Sequence, residues 1–220
     1  MENIPFENSK YNFFQGFYYT IKLILTNPRG FFEKMHVNKG FFKPSVFFMT
    51  ILIINTVSNY LYIKGGVVQN PFLTAIEEIE KNSEPGSEFI VEIIRNISDN
   101  GELGIKYLLM GILLNIALFW GVAYIWHLLI SIFGVARNGF EASFRVLSYS
   151  FAPLLFTVIT INFPILNLIL LSWVFVIISR GVEEAHEVTN TKGLIATISL
   201  PFAMITVFMV ATFIVSILMI

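Results

Sequence analysis

The sequence predicts an all-α polytopic membrane bundle of about five spans, N-terminus inside and C-terminus outside, with an N-terminal amphipathic interfacial helix. Three observations carry this. Charged residues make up only 13% of the 220 and hydrophobic residues 55%, whereas soluble domains carry roughly 25% charge. Too little charge remains to solvate a globular surface. The apolar residues, 23 phenylalanines among them, gather into runs near the about 20 residues that cross a bilayer core. Lys and Arg collect at alternate ends of those runs, as membrane orientation requires.

The first span covers residues 44–63, and Pro44 opens it where its missing N–H is harmless, in the first helical turn. The second covers 105–133, between Gly104 and Gly134. The third, 145–161, is short and Pro153 kinks it. Asn162, Phe163 and Pro164 break the chain before the fourth, 165–179, which is also short. The last covers 194–220, with Gly193 before it and Pro201 inside it. The third and fourth segments read either as full crossings or as a re-entrant hairpin. Both return the chain to the same side.

Orientation follows from the basic residues. Lys10, Lys22, Arg29, Lys34, Lys39 and Lys43 precede the first span, Arg137 and Arg145 follow the second, and Arg180 and Lys192 follow the fourth. Residues 1–43 form a cytoplasmic arm and 44–220 the transmembrane domain, with 64–104 as an outer loop rich in Glu. Residues 1–12 lack the apolar core of a secretory signal. Net charge is −1, which gives no bias toward nucleic acid, and the chain has no Cys for disulfides or thiolate chemistry.

Two regions outside the spans are patterned. In the arm, Phe14, Phe17, Tyr18, Ile21, Ile24 and Leu25 recur at helical spacing, with Phe13 beside them and Lys22 and Arg29 as basic flanks. Such a helix either lies in the membrane interface or packs on the bundle. In the outer loop, Asn70 and Pro71 start a helix whose Phe72, Ile76 and Ile79 share a face. After Pro85 and Gly86, a second stripe runs through Phe89, Ile90, Ile93, Ile94 and Ile97. The loop reads as a solvated lid or as an external partner surface.

Polar groups inside spans are costly and draw functional suspicion. Asn55, Asn59 and Asn115 are suited to bonding across helices. His127 follows Trp126 and reads as an interfacial His beside an aromatic-belt residue, or as a proton or metal site. Asn167 caps the fourth span. Arg145 cannot stay unpaired in a helix; it snorkels to the inner interface or pairs with Glu183 or Glu184. Glu183 and His186, at i and i+3, match a metal-bundle spacing, but no second Glu-x-x-His exists, and pairing of Arg180 with Glu183 or Glu184 explains the cluster as well. No His-Glu-x-x-His, Gly-x-Ser-x-Gly or phosphate-loop signature is present. No enzymatic activity and no cofactor are called for.

The stretch from Gly139 to Pro153, Gly-Phe-Glu-Ala-Ser-Phe-Arg-Val-Leu-Ser-Tyr-Ser-Phe-Ala-Pro, resembles the Yip-one (Yip1) domain family, the Ypt-interacting proteins. The pattern is Gly, then Phe-Arg with Arg145, Tyr149, and Ala-Pro at Pro153; Phe163, Pro164, Trp173, Gly181 and His186 continue it. Pro28, Arg29, Gly30, Phe31 and Phe32 look like the family's Pro-x-x-Phe-Phe element. The resemblance implies about five spans and a cytoplasmic N-terminus. Eukaryotic members are linked to prenylated small GTPases and vesicle traffic. This chain has a shorter N-terminal region and a longer outer loop, and looks more like the prokaryotic members. That implies the plasma membrane of a prokaryote.

The leading functional expectation is a non-enzymatic protein with a membrane-organising, scaffold or trafficking-type role. Its partners are the lipid bilayer and other membrane proteins or itself. The alternative is a small-solute or ion transporter, or a subunit of one, with a polar cavity lined by Asn55, Asn115 and His127.

Overall fold

The computed structural model describes residues 4–82, 88, 91–92 and 105–218. Among these residues all regular structure is helical. The chain forms two compact units: the described residues of Met1–Ile51 with Ala117–Ile220, and those of Leu52–Ile116. Five segments are long and apolar enough to cross a bilayer: Phe42–Lys64, Leu108–Ile132, Gly139–Thr160, Pro164–Ala185 and Asn190–Phe213. Large apolar side chains on them point outward, among them Leu168 and Ile169 and, on the last segment, Phe202 and Phe208. In water such a surface would aggregate; against lipid it is solvated.

The arm is two helices after a 3₁₀ turn, Pro5–Glu7. Helix α1 (Phe13–Thr26) starts in a capping box, in which the Asn12 side chain accepts from the Gln15 N–H and Gln15 accepts from the Asn12 N–H. Asn27 ends α1 and caps α2 (Pro28–Glu33) by accepting from the Gly30 N–H, with Pro28 at the first helical position. The aromatic stripe divides. Ile21 and Ile24 are buried, but Phe14 is 80% exposed and Tyr18 also faces out. Beside Ile21 and Ile24, a small face also packs inward. Gly16 lies against the backbone of Pro5 and Phe6, and Thr20 Oγ1 accepts from the Phe6 N–H at 2.9 Å. Ile4 and Phe6 are core residues, although residues 1–12 gave no sign of one.

Helix α3 is Phe42–Lys64, α4 is Pro71–Asn82 and α5 is Ile105–Ile132. Ile63, Ile76 and Val91 are buried within the smaller unit. The second loop stripe, with Phe89, Ile90, Ile93, Ile94 and Ile97, lies outside the described residues.

The third and fourth segments begin or end beyond their expected bounds. Helix α6 (Gly139–Ser150) starts at Gly139, so Arg145 stands mid-helix and not at an end. Pro153, which has no N–H to donate, sits in a 3₁₀ stretch, Ala152–Phe156, before the short α7 (Thr157–Thr160). Helix α8 (Pro164–Ala185) runs past Ser179 and takes the Arg180 cluster into the helix. Its 22 residues rise roughly 33 Å at 1.5 Å each, enough to cross in full. Asn167 ties α8 back to α7, accepting from the Thr160 hydroxyl. Helix α9 (Asn190–Leu218) begins before Gly193 and keeps Pro201 inside it.

Helix α8 contacts α2, α6 and α9, and two glycines make that possible. A Cβ on Gly181 would lie 2.8 Å from Val146 Cγ1 and 2.9 Å from the Phe32 ring. One on Gly193 would lie 2.7 Å from the Ser179 carbonyl oxygen. Gly121 is different, since its added Cβ would meet Val207 at an ordinary 3.4 Å. We therefore expect Gly181→Ala and Gly193→Ala each to destabilise the protein by about 1–3 kcal/mol, with Gly121→Ala close to the parent. Thermal unfolding in detergent checks this; three equal curves would refute the close-packing account.

Candidate functional site

Helix α6 grips the arm with three side chains one turn apart, Glu141, Arg145 and Tyr149. Arg145 is fully buried. Its Nη2 pairs with Glu7 Oε1, and its Nη1 donates to the Gly40 carbonyl at 2.9 Å. The Tyr149 hydroxyl donates to the same Glu7 oxygen at 2.7 Å. One turn back, the Glu141 carboxylate accepts from the backbone N–H groups of Lys39 and Gly40, both at 2.6 Å. Gly40 has φ +79°, a conformation that glycine holds without a Cβ penalty. Phe31 and Phe47 pack their rings on Tyr149, with centroids 5.2 and 5.0 Å away.

Arg145 thus pairs with an acid, but with Glu7 and not with Glu183 or Glu184. Gly181 of α8 faces Val146 of α6. Two residues on, Glu183 is turned by about 200°; it contacts Gly193 and accepts from Arg180 at 2.8 Å. Glu184 pairs with Arg29 of α2 at 2.7 Å. The guanidinium does not reach solvent, since Arg145 is buried and spends Nη1 and Nη2 on Gly40 and Glu7. Its Nε, and the buried hydroxyls of Ser148 and Ser150, have no partner among the described residues.

A second polar chain lies at the end of α8. Glu187 adopts φ 53° and the Val188 N–H bonds back to the Glu183 carbonyl, a Schellman-type end. That ending turns His186 inward, where it is fully buried. The Asn138 N–H donates to His186 Nδ1 at 3.2 Å. Since Nδ1 accepts, the neutral ring carries its proton on Nε2 and donates to Ser143 Oγ, 3.0 Å away. The Ser143 hydroxyl can then donate to His127 Nδ1 at 2.8 Å. Burial first, and the neighbouring His127 second, push His186 down to about 4.

The other candidates scatter. Trp126 is not an aromatic-belt residue; it is fully buried and its indole donates to the Ala196 carbonyl at 2.8 Å. Asn55, Asn59 and Asn115 fall in the smaller unit and His127 in the larger. Asn115 is exposed and donates to Gly111 of its own helix. Glu183 and His186 turn to different partners, and no group of three possible metal ligands occurs among the described residues.

The Yip1 domain model matches residues 22–212. The chain belongs to the Yip1 domain family. No curated protein and no solved structure matches it. Of the motif positions that carried the resemblance, Pro28 starts α2, Pro153 forms the 3₁₀ break, Arg145 and Tyr149 hold Glu7, Gly181 seats Phe32 and His186 ends α8. Trp173 is half-exposed on α8. Sequence reasoning missed Glu7, Ser143, Glu141 and Asn138. Glu7 lies outside the matched residues of this Yip1 domain protein. Its one local sign is an acid directly after Ile4, Pro5 and Phe6.

Two expectations follow. Glu7→Ala strands a buried guanidinium, so it should cost about 3–5 kcal/mol, whereas Glu7→Leu with Arg145→Met should return to parental stability or exceed it. A double-mutant cycle on detergent unfolding measures both. An unchanged Glu7→Ala midpoint would mean that the pair carries no weight. The second concerns pH. His186 binds its proton more weakly folded than unfolded, so its stabilising contribution is present above about pH 6.5 and is lost as pH falls toward 4. The loss is on the order of 3 kcal/mol at most. His186→Gln should flatten that part of the stability profile, and parallel profiles for variant and parent would contradict it.

Proposed function

We propose that this integral membrane protein of the Yip1 domain family is a non-enzymatic membrane-organising scaffold that acts through its arm. The arm lies on the cytoplasmic side, by the basic-residue bias, and the setting is a prokaryotic plasma membrane. One observation supports this above others. The arm is held by a buried ion pair on one face and presents Tyr11, Phe13, Phe14, Tyr18 and Tyr19 outward on another. A ridge of rings fixed to a multi-span bundle has a set position at the headgroup boundary, where Trp and Tyr side chains favour the wet-dry edge. It would displace lipid in one leaflet or seat a membrane partner or a second copy. The polar groups named for transport give less support, since Asn115 spends its amide on its own helix.

Labelling in liposomes tests the reading. The chain has no Cys, so Phe14→Cys and Tyr18→Cys introduce single thiols. Both should react slowly with a membrane-impermeant maleimide added to the arm's side, while Asn38→Cys, at an exposed turn position, reacts fast. Fast labelling at all three positions would remove the interfacial arm and the scaffold reading with it.

A further inference from the structure

A cleft of about 120 Å³ lies between the 3₁₀ turn, α1 and the end of α2. That is several times the roughly 30 Å³ share of one water. Ile4 and Leu23 give it an apolar base, and its polar lining is Asn8, Lys10, Tyr11 and Lys34. Among the described residues no carboxylate lines it. Glu7, next in the chain to Asn8, is turned away into the buried pair with Arg145. Among the described residues no acid pairs with Lys10 or Lys34, although Arg29 and Arg180 both find partners. The Asn8 side-chain oxygen already accepts from the Lys10 N–H at 3.0 Å, which leaves the Asn8 amide to donate.

Two lysines from separate elements, an asparagine and a tyrosine thus line one space, with no acceptor charge among the described residues to balance them. Carboxylates offer two oxygens; a phosphate offers more and carries the charge that lysine serves as a point-charge partner. We infer that this cleft binds a phosphate group, borne by an anionic lipid headgroup or free in solution. It deepens the scaffold reading, on which only the lipid source rests: an arm at the headgroup boundary would meet phosphate there. Tyr11 belongs both to the cleft and to the outward ridge, so the two surfaces adjoin.

Calorimetry on the full chain in a maltoside detergent tests this, with three probes: dihexanoyl phosphatidylglycerol, inorganic phosphate, and dihexanoylglycerol, which has the acyl chains but no phosphate. We expect phosphatidylglycerol to bind and dihexanoylglycerol not to. Lys10→Gln or Lys34→Gln should weaken binding about fivefold, and the pair about thirtyfold. Lys22→Gln makes the same charge change on an exposed face of α1 outside the cleft and should leave affinity within about twofold of the parent, as screening limits distant charges. If inorganic phosphate binds as tightly as phosphatidylglycerol, the source is free phosphate; if it binds far more weakly, the source is a headgroup. Equal binding of the phosphate-free probe, an equal loss in Lys22→Gln, or no binding of either phosphate probe overturns the site. No bilayer is needed, so failed protection of Phe14 in liposomes would sink the scaffold reading and leave this result standing.

Discussion

A guanidinium cannot shed its proton in a protein, and Arg145 is enclosed on all sides in the middle of α6. Taking such a charge out of water costs several kcal/mol unless an opposite charge and hydrogen bonds meet it. Glu7 meets it from 138 residues away in the chain. The remaining geometry of the arm follows from delivering that carboxylate. Pro5 opens the 3₁₀ turn that carries Glu7, Thr20 holds the turn at the Phe6 N–H, and Tyr149 supplies a second donor to the same oxygen. The Gly40 turn closes the enclosure, held by Arg145 at its carbonyl and by Glu141 at two N–H groups.

Close helix approach is the second requirement. Phe31 and Phe32 are large, and both are buried where α2 meets α6 and α8. Phe32 fits because α8 has no side chain at residue 181, and α9 approaches Ser179 and Glu183 of α8 closely because it has none at residue 193. The same approach brings the end of α8 under the start of α6. His186 and Ser143, both fully buried, then bond to each other and on to the half-buried His127. The arm, the glycines and the histidine chain are therefore parts of one packed unit and not separate modules.

Function, in the reading favoured here, depends on the arm having two kinds of surface. Its inward face is small and polar where it must dock, at Gly16 and Thr20. Its outward face carries rings, and its Lys10 and Lys34 pair with no acid among the described residues. A loosely tethered amphipathic helix could sample many depths in a membrane. An arm anchored through a buried ion pair has one depth and one direction, which is what a scaffold requires.

Much of this was legible in the chain. Low charge, long apolar runs and the Pro and Gly punctuation of residues 27–30, 153 and 162–164 predicted the helical bundle and most of its breaks, because these signals act locally. The motif positions 145, 149, 181 and 186 were legible as important, and the structure gives each a contact. Their partners were not legible. Periodicity says which residues of a helix share a face, but not which neighbour that face meets. So the acids of α8 looked nearest to Arg145, and Trp126 looked like a belt residue. Residues 1–12 look too short and too polar to enter a core, and only the folded chain shows Ile4, Phe6 and Glu7 inside it. Sequence by itself determined that the chain is a helical membrane protein and marked most of its helix breaks, since hydropathy and backbone restriction are properties of adjacent residues. Tertiary structure alone decided which acid neutralises Arg145, since pairing at a separation of 138 residues depends on how helices pack and leaves no local trace.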